Sequence, residues 1–512
     1  MGTFTMSRFR MLLACASILA LGAPAAFADK ADDTLRIGWG GDGAMINADN
    51  YLGGTRTGIW FTKMVWDTLV ERDPTTGEYK GELATDWTWI DDKTLELKLR
   101  QDVKFHNGEA FSADDVVYTY NTMSAKDSQA RFRAIVDWIE TVEKVDAKTV
   151  RIHTKTPFPQ ALEFLAGPMP IYPHKYYAEV GSQGMSNAPV GTGPYKVVEM
   201  RPGEQYTLVR NDDYNWGSPK SKAKIANVVI REIPDAQTQV AELMSGGIDV
   251  TADMSPDLVT KLGGVPDVAA KMSETLRIFV IGLDAAKRAN NPAVNDVRVR
   301  QALNYAIDRE AIVKNLMAGA ARPLSTPCHP LQFGCAEEAA VKYPYDPEKA
   351  KSLLREAGFA DGLELTMYAE APAKEAEAIM GYLDAVGVKV KLNRVPYEAY
   401  RDATMSGKAP AFLFNWGSYS LADAAASISF FFKGGDDDFA QDKDVIEWLN
   451  TGDSVTDPGK RKEAYASAVR RITEQAYWIP LFSGVRGYAW DANLDFTPFA
   501  DEIPRFYEYS WK

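Results

Sequence analysis

Along this chain the apolar positions alternate between a period of two and a period of three to four. Residues 35–38 read as a short strand, and a helix is predicted over 58–69, with Trp60, Met64 and Leu69 among its apolar positions. Leu95, Leu97 and Leu99 alternate with Glu96 and Lys98 and pair with 86–90 across Asp91-Asp92-Lys93, a hairpin pattern. Residues 141–145 and 149–153 repeat that build around Asp146-Ala147-Lys148. Between the hairpins Ser112 caps a helix through Val116, Val117 and Tyr120, with Asp114 and Asp115 in its first turn, where carboxylates suit the helix dipole. Segment 68–190 therefore reads as a small α+β unit of its own.

Downstream, strands and helices alternate. A hairpin over 197–209 turns at Pro202-Gly203, and 227–233, 236–244 and 248–251 form a βαβ pattern. Helices are predicted over 296–307 and, capped by Asp308, through Leu316. Asp346-Pro347-Glu348 opens another helix with a cap, a proline at the first position and an acid in the first turn, and Gly358 stops it. Residues 363–368, 375–386 and 388–392 form a second βαβ unit. A buried strand over 411–414 runs into Asn415-Trp416-Gly417-Ser418, and a helix over 459–475 with a strand over 478–482 completes the chain. The fold class is α/β: two lobes with an inserted third α+β unit. Ligand clefts in such folds lie between lobes, where strand-end loops converge.

The N-terminus adds a compartment. Arg8 and Arg10 precede an apolar stretch over 11–21, too short to span a bilayer, and Ala26-Phe27-Ala28 is an A-x-A cleavage site. Residues 1–28 read as a secretory signal peptide, cleaved after Ala28. Leu12-Leu13-Ala14-Cys15 looks like a lipidation box, but Cys15 sits almost at the start of the apolar stretch. The expected location is a periplasm. The net charge of −13 argues against nucleic acid and anionic lipid as partners. Once the signal is removed, Cys328 and Cys335 in CHPLQFGC are the remaining cysteines. An isolated pair in an oxidising compartment is a disulfide candidate. His329 beside them raises a metal reading, but a fourth ligand is missing nearby.

Motifs for chemistry are sparse. Residues 38–43 match G-x-G-x-x-G after a strand, yet no helix pattern begins at Gly43 and no acid-ended strand follows. The alternatives are a glycine-rich loop that lets backbone approach a ligand, carrying Trp39 and Asp42, and a plain surface turn. G-x-S-x-G and H-E-x-x-H do not occur, and His106, His153, His174 and His329 belong to no recognisable triad. An enzyme is not expected, and no cofactor is implied. Trp416 at the end of its strand either offers an aromatic face to a cleft or caps a core.

Four segments together resemble one family: LATDWTWIDDKTLELKLRQDVKFHNGEAFSADDVVYTYN (83–121), VGTGPYKVVE (190–199), DVRVRQALNYAIDREAIV (296–313) and YDPEKAKSLLREAGF (345–359). The chain is similar to the family 5 extracellular solute-binding proteins, the dipeptide, oligopeptide and nickel-chelate receptors of ABC importers. The resemblance implies a periplasmic-binding-protein-like fold (type II, cluster C). Lobe I would combine 29–67, 191–275 and 481–512; lobe II would be the insertion 68–190, distant from the ligand; lobe III would be 276–480. The ligand would lie between lobes I and III, which close about hinges near 275 and 481. The expected partners are a small-molecule or short-peptide ligand and the permease subunits of the importer, and the protein is expected to be a monomer.

Peptide receptors of this family place an aspartate three residues after the strand Trp, where it holds the peptide's ammonium. Here that position is Tyr419, and the first acid beyond it is Asp423. A contact of that kind is worth about 1.5–3 kcal/mol, so its loss makes opine-like or sugar-derived ligands credible beside short peptides. The expected ligand contacts are Trp416, Gly417, Ser418, Tyr419 and Asp423 from lobe III and Trp39, Gly40 and Asp42 from lobe I. Tyr368 and Glu370 lie at the end of a lobe III strand and complete the set. The rival readings are a metal-chelate receptor of the same family and, from other classes, a secreted hydrolase or a periplasmic chaperone.

Overall fold

The computed structural model describes residues 32–40, 45, 47–53, 56–370 and 375–512. The signal segment 1–28 and Asp42 lie outside them. Ten strands form one mixed sheet, in the order Val388–Val395, Leu363–Glu370, Ala411–Trp416, Val268–Leu283, Trp478–Asp491, Val250–Ala252, Thr34–Trp39, Asn227–Glu232, Gln205–Arg210 and Tyr195–Arg201. Thr34–Trp39 and Asn227–Glu232 pair in parallel in one half, and Leu363–Glu370 pairs in parallel with Val388–Val395 and Ala411–Trp416 in the other. The helices Ala236–Met244 and Ala376–Asp384 follow strands of these two sets, as the βαβ patterns predict.

Two long antiparallel strands, Val268–Leu283 and Trp478–Asp491, join the halves. The hinges expected near 275 and 481 fall inside them, and their register shifts between Glu274 and Ile278. The second strand runs far past the predicted 478–482. Gly484 and Gly487 lie in the added length, strand residues kept bare by close neighbours: a Cβ at Gly487 would lie 2.1 Å from the Met254 carbonyl oxygen. Glycine inside a strand marks close backbone approach as readily as an end.

Segment 68–190 carries its own antiparallel sheet in the order Ala84–Asp91, Thr94–Leu99, Thr149–Thr154 and Ile139–Asp146, which contains both predicted hairpins. Helix Ala113–Ser124 begins where expected, and Asp115 Oδ2 accepts the Ser112 N–H at 2.7 Å. The insertion does not stand apart: Leu97 and Ile152 share one buried cluster with Trp66, Tyr195 and Ile230. The far half has separate cores, one around Ile281, Leu365 and Leu413 and another around Ile278, Phe431 and Trp478.

Local capping follows the sequence closely. In helix Pro347–Glu356, Asp346 Oδ1 accepts the Lys349 N–H at 2.8 Å, and Gly358 beyond its end has φ +92°. The helix predicted over 58–69 instead runs Arg56–Val65. It stops because Asp67 turns inward to Lys220, Thr192 and Tyr214. Cys328 and Cys335 are disulfide-bonded, with Cα atoms 5.8 Å apart. His329, the residue that raised a metal reading, is buried with Nε2 3.2 Å from Glu274 Oε1. Among the described residues no helix is long and apolar enough to cross a membrane.

Candidate ligand-binding site

A cavity of about 570 Å³ opens at the end of strand Ala411–Trp416. The strand is held on both sides, by Leu363–Glu370 and Val268–Leu283, so its last residues are delivered to a fixed place. Trp416 Nε1 donates to the Ala426 carbonyl at 2.7 Å, which fixes the indole. Its ring stacks on Phe430 at 4.8 Å.

Beyond Trp416 the chain takes a rare path. Ser418, Tyr419 and Ser420 have φ of +51°, +52° and +62°. A left-handed conformation costs a non-glycine residue about 1–2 kcal/mol, so the surroundings must impose it. The Ser420 and Leu421 N–H groups donate to Gly417 O and Ser418 O, each at 2.9 Å, and Ala422 N–H donates to Glu163 Oε2 of the insertion at 2.9 Å. The turn puts the Tyr419 ring 5.1 Å from Trp416 and 5.7 Å from Phe132. It also leaves Ser418 Oγ buried at the cavity with no hydrogen-bond partner among the described residues. Among the described residues no base hydrogen-bonds this hydroxyl, as activation of a serine nucleophile requires.

Charge is balanced around this aromatic wall. Glu370, at the end of its strand, is exposed and lines the cavity with no ion-pair or hydrogen-bond partner among the described residues. Arg401 and Asp437 form a two-pronged pair at 2.6 and 3.3 Å. Arg277 reaches Asn415 Oδ1 at 2.6 Å and Glu502 Oε2 at 3.4 Å. Arg131 of the insertion also lines the cavity, whereas the resemblance implied a unit distant from the ligand.

Of the expected contacts, Trp416, Gly417, Ser418, Tyr419 and Glu370 come together here. The others do not. Trp39 is buried at the edge of Trp60, centroids 4.9 Å apart, with the Arg486 guanidinium 4.8 Å from its ring. It is a core residue because its strand runs through the middle of the sheet. Gly40 serves close approach to the chain's own backbone: a Cβ there would lie 2.1 Å from the Ile233 carbonyl oxygen. Tyr368 packs against Tyr400, Phe412 and Phe439. Asp423 is buried and paired with Arg461 at 2.7 Å, so it does not replace the missing aspartate. Burial pushes its carboxyl up to about 6 against the pull of Arg461. Reasoning from sequence missed Arg131, Arg277, Arg401 and Asp437; for Arg277 the signal was a lone charge opening the apolar run Ile278–Leu283.

Known proteins resemble this chain in sequence and in fold. Residues 78–438 match the profile of the bacterial extracellular solute-binding proteins, family 5 Middle. Heme-binding protein A of Haemophilus influenzae is 29% identical over 473 residues, covering 84% of this chain and 83% of its own length. Di/tripeptide-binding protein 1 of Pseudomonas aeruginosa is 27% identical over 472 residues, covering 84% of this chain and 85% of its own. In structure, the ABC transporter-associated periplasmic binding protein DppA from Helicobacter pylori, in complex with the peptide STSA, is similar with a TM-score of 0.76 and 24% identity, over 93% of this chain and 98% of that one. The chain belongs to the family 5 extracellular solute-binding proteins. Its general role is that of a solute-binding protein of an ABC importer.

Proposed function

We propose that the protein is a periplasmic receptor for a small amphoteric, peptide-like solute, which it carries to the permease of its importer. The observation that supports this most directly is the cavity itself. Its size lies in the ordinary range for small-molecule sites. Its aromatic wall, Trp416, Tyr419 and Phe430, stands among the Glu370 carboxylate, unpaired among the described residues, and two guanidinium groups, Arg131 and Arg277. Glu370 takes the ammonium that Tyr419 and Asp423 cannot hold, a contact worth about 1.5–3 kcal/mol. Ser418 Oγ supplies a further polar contact. The peptide recognition of di/tripeptide-binding protein 1 and DppA is in keeping with this reading.

In this reading the signal peptide is cleaved after Ala28, and the mature chain works as a monomer without altering the solute. Ligand favours the closed state only through its greater affinity for that state. A second reading, an opine-like or sugar-derived amino acid, is favoured by Tyr419 at the position where peptide receptors carry aspartate. Native mass spectrometry of the purified protein, with release and identification of what co-purifies, separates the two. A short peptide supports the first and an amino acid–sugar conjugate the second. A chelated metal, or turnover of added peptides, would sink both.

A further inference from the structure

Two glycines flank one arginine at the root of the cavity. Arg277 lies in strand Val268–Leu283, inside the irregular stretch between Glu274 and Ile278. A Cβ at Gly417 would sit 2.8 Å from Arg277 Nη2, and one at Gly484 would sit 2.8 Å from Arg277 Cβ. A side chain at Gly417 would meet the guanidinium, and one at Gly484 would meet the stem of the same arginine. The group is nevertheless only partly used. Nη1 donates to Asn415 Oδ1 at 2.6 Å, while Nη2 stands 3.4 Å from Glu502 Oε2, longer than the 2.7–2.9 Å or so of a good guanidinium–carboxylate contact. Its remaining N–H donors have no partner among the described residues, and Arg277 lines the cavity.

We infer that Arg277 is the anion anchor of this receptor. The solute carries an ionised acid group, a carboxylate or its equivalent, that takes the free face of the guanidinium and draws it from Glu502. The inference rests on the reading of this cavity as the solute site and adds the charge that the solute must bear. A planar fork suits it, since guanidinium recognises carboxylate with two parallel hydrogen bonds.

The exchange also couples charge to closure. Asn415 belongs to the far half of the sheet and Glu502 to the C-terminal segment beyond the second hinge strand, so the acid group enters an ion pair that spans the hinge. The spacing is suitable. Continuing the registers Ala369 to Leu413 and Ile278 to Trp416 places Glu370 level with Phe414 and Arg277 level with Gly417. Two strand spacings across and three residues along separate these backbones by roughly 14 Å. That is at most about four residues of extended chain, so amine and acid groups can be held at opposite ends of one small solute.

The test is titration calorimetry on the full mature protein with matched pairs of di- and tripeptides and amino acid–sugar conjugates, each as free acid and as neutral amide. The wild type is expected to bind the acid of at least one pair at least about 10-fold more tightly than the amide. Arg277→Gln abolishes that difference, Arg277→Lys keeps part of it, and Glu502→Gln, which removes the competing carboxylate, tightens the acid. Thermal melts close to wild type show that each variant folds. Equal binding of acid and amide overturns the anchor, as does discrimination that survives in Arg277→Gln; the solute-site reading then stands, because ligand still binds. Binding of neutral or cationic solutes without any acid has the same meaning. If no pair binds, the solute released from the purified protein decides: an acid lost from Arg277→Gln supports the anchor, and a solute without an acid group overturns it. A protein that binds no pair and releases nothing overturns both readings.

Discussion

Asp423 and Arg461 form a buried ion pair, Nη2 to Oδ2 2.7 Å, with the guanidinium 4.6 Å from the Phe333 ring. Asp423 Oδ1 also accepts the Ala425 N–H at 2.9 Å, and Arg461 Nε donates to the Gly452 carbonyl at 2.9 Å. Every strong partner of this carboxylate is internal, so its work is to fix the chain that follows the left-handed turn. Breaking a buried pair from one side costs about 3–5 kcal/mol. Asp423→Asn should therefore lose about that much stability in urea denaturation while solute affinity in titration stays within a factor of two or so. Glu370→Gln should do the reverse: little change in stability and roughly 10-fold weaker binding of an amine-bearing solute. If Asp423→Asn abolishes binding in a protein that is still folded, the ammonium assignment to Glu370 is wrong.

Tyr419 offers a test in which glycine should outperform alanine. With φ at +52°, any L-residue there is strained by about 1–2 kcal/mol, and glycine is not. Both substitutions remove the ring from Trp416 and Phe132, contacts worth about 0.5–1.5 kcal/mol each beyond area. Tyr419→Gly should melt near wild type and Tyr419→Ala lower, by about 1 kcal/mol, while both bind solute more weakly. Equal stability of the two variants would show that the left-handed turn is not imposed on the free protein.

The contrast between these residues shows what the sequence could convey. Capping and hairpins were legible because they are local: Asp346-Pro347-Glu348 and the alternation over Leu95, Leu97 and Leu99 specify their own backbone. Trp416 and Tyr419 were legible because they end a buried strand. Asp423 and Trp39 misled for one reason. A polar or aromatic residue beside a strand end looks alike whether it faces a cleft or a partner, and the partners here, Arg461 and Trp60, lie far along the chain. Arg277 was missed because its reach depends on two bare positions, Gly417 just past one neighbouring strand and Gly484 within the other, and no pattern within one segment encodes that coincidence.

A buried cluster near the insertion predicts the alkaline side of stability. Lys63 pairs with Glu71 at 2.6 Å, and Lys220 lies 2.9 Å from Asp67 and 3.0 Å from Glu82. Three carboxyl groups share two ammonium groups there. Burial raises Glu82 to about 8, which Lys220 opposes. Asp67 is also pushed up by burial, but Lys220 and the hydrogen bonds from Glu82, Lys220 and Thr192 leave it below its ordinary value. A carboxyl whose folded value is raised binds its proton more tightly when folded. Stability from Glu82 is therefore full below its ordinary 4.5 and lost as pH rises from there to about 8. Glu82→Gln, a permanently neutral mimic, should flatten the decline of the urea midpoint between pH 5 and 8 or so. A decline as steep as wild type would place the proton on another group.

The disulfide loop predicts the acid side. Cys328 and Cys335 close a loop with a sequence separation of 7, worth about 2–3 kcal/mol through the unfolded chain. The loop also seats His329 and Arg322 against Glu274 of strand Val268–Leu283, at 3.2 and 3.0 Å. Burial raises this carboxyl, but hydrogen bonds from His329 and Arg322 outweigh it and hold Glu274 at about 2. A depressed folded value contributes stability above the ordinary 4.5, and that stability is lost as pH falls toward 2. Replacing both cysteines by serine loosens the seat as well as lengthening the unfolded chain. The variant should be less stable than wild type at every pH, and the gap in urea midpoint should be wider near pH 6 than near pH 3. Solute affinity should stay within a factor of two or so, because neither cysteine lines the cavity. A gap that is the same at both values would mean that the disulfide acts on the unfolded chain alone and that Glu274 keeps its partners without it.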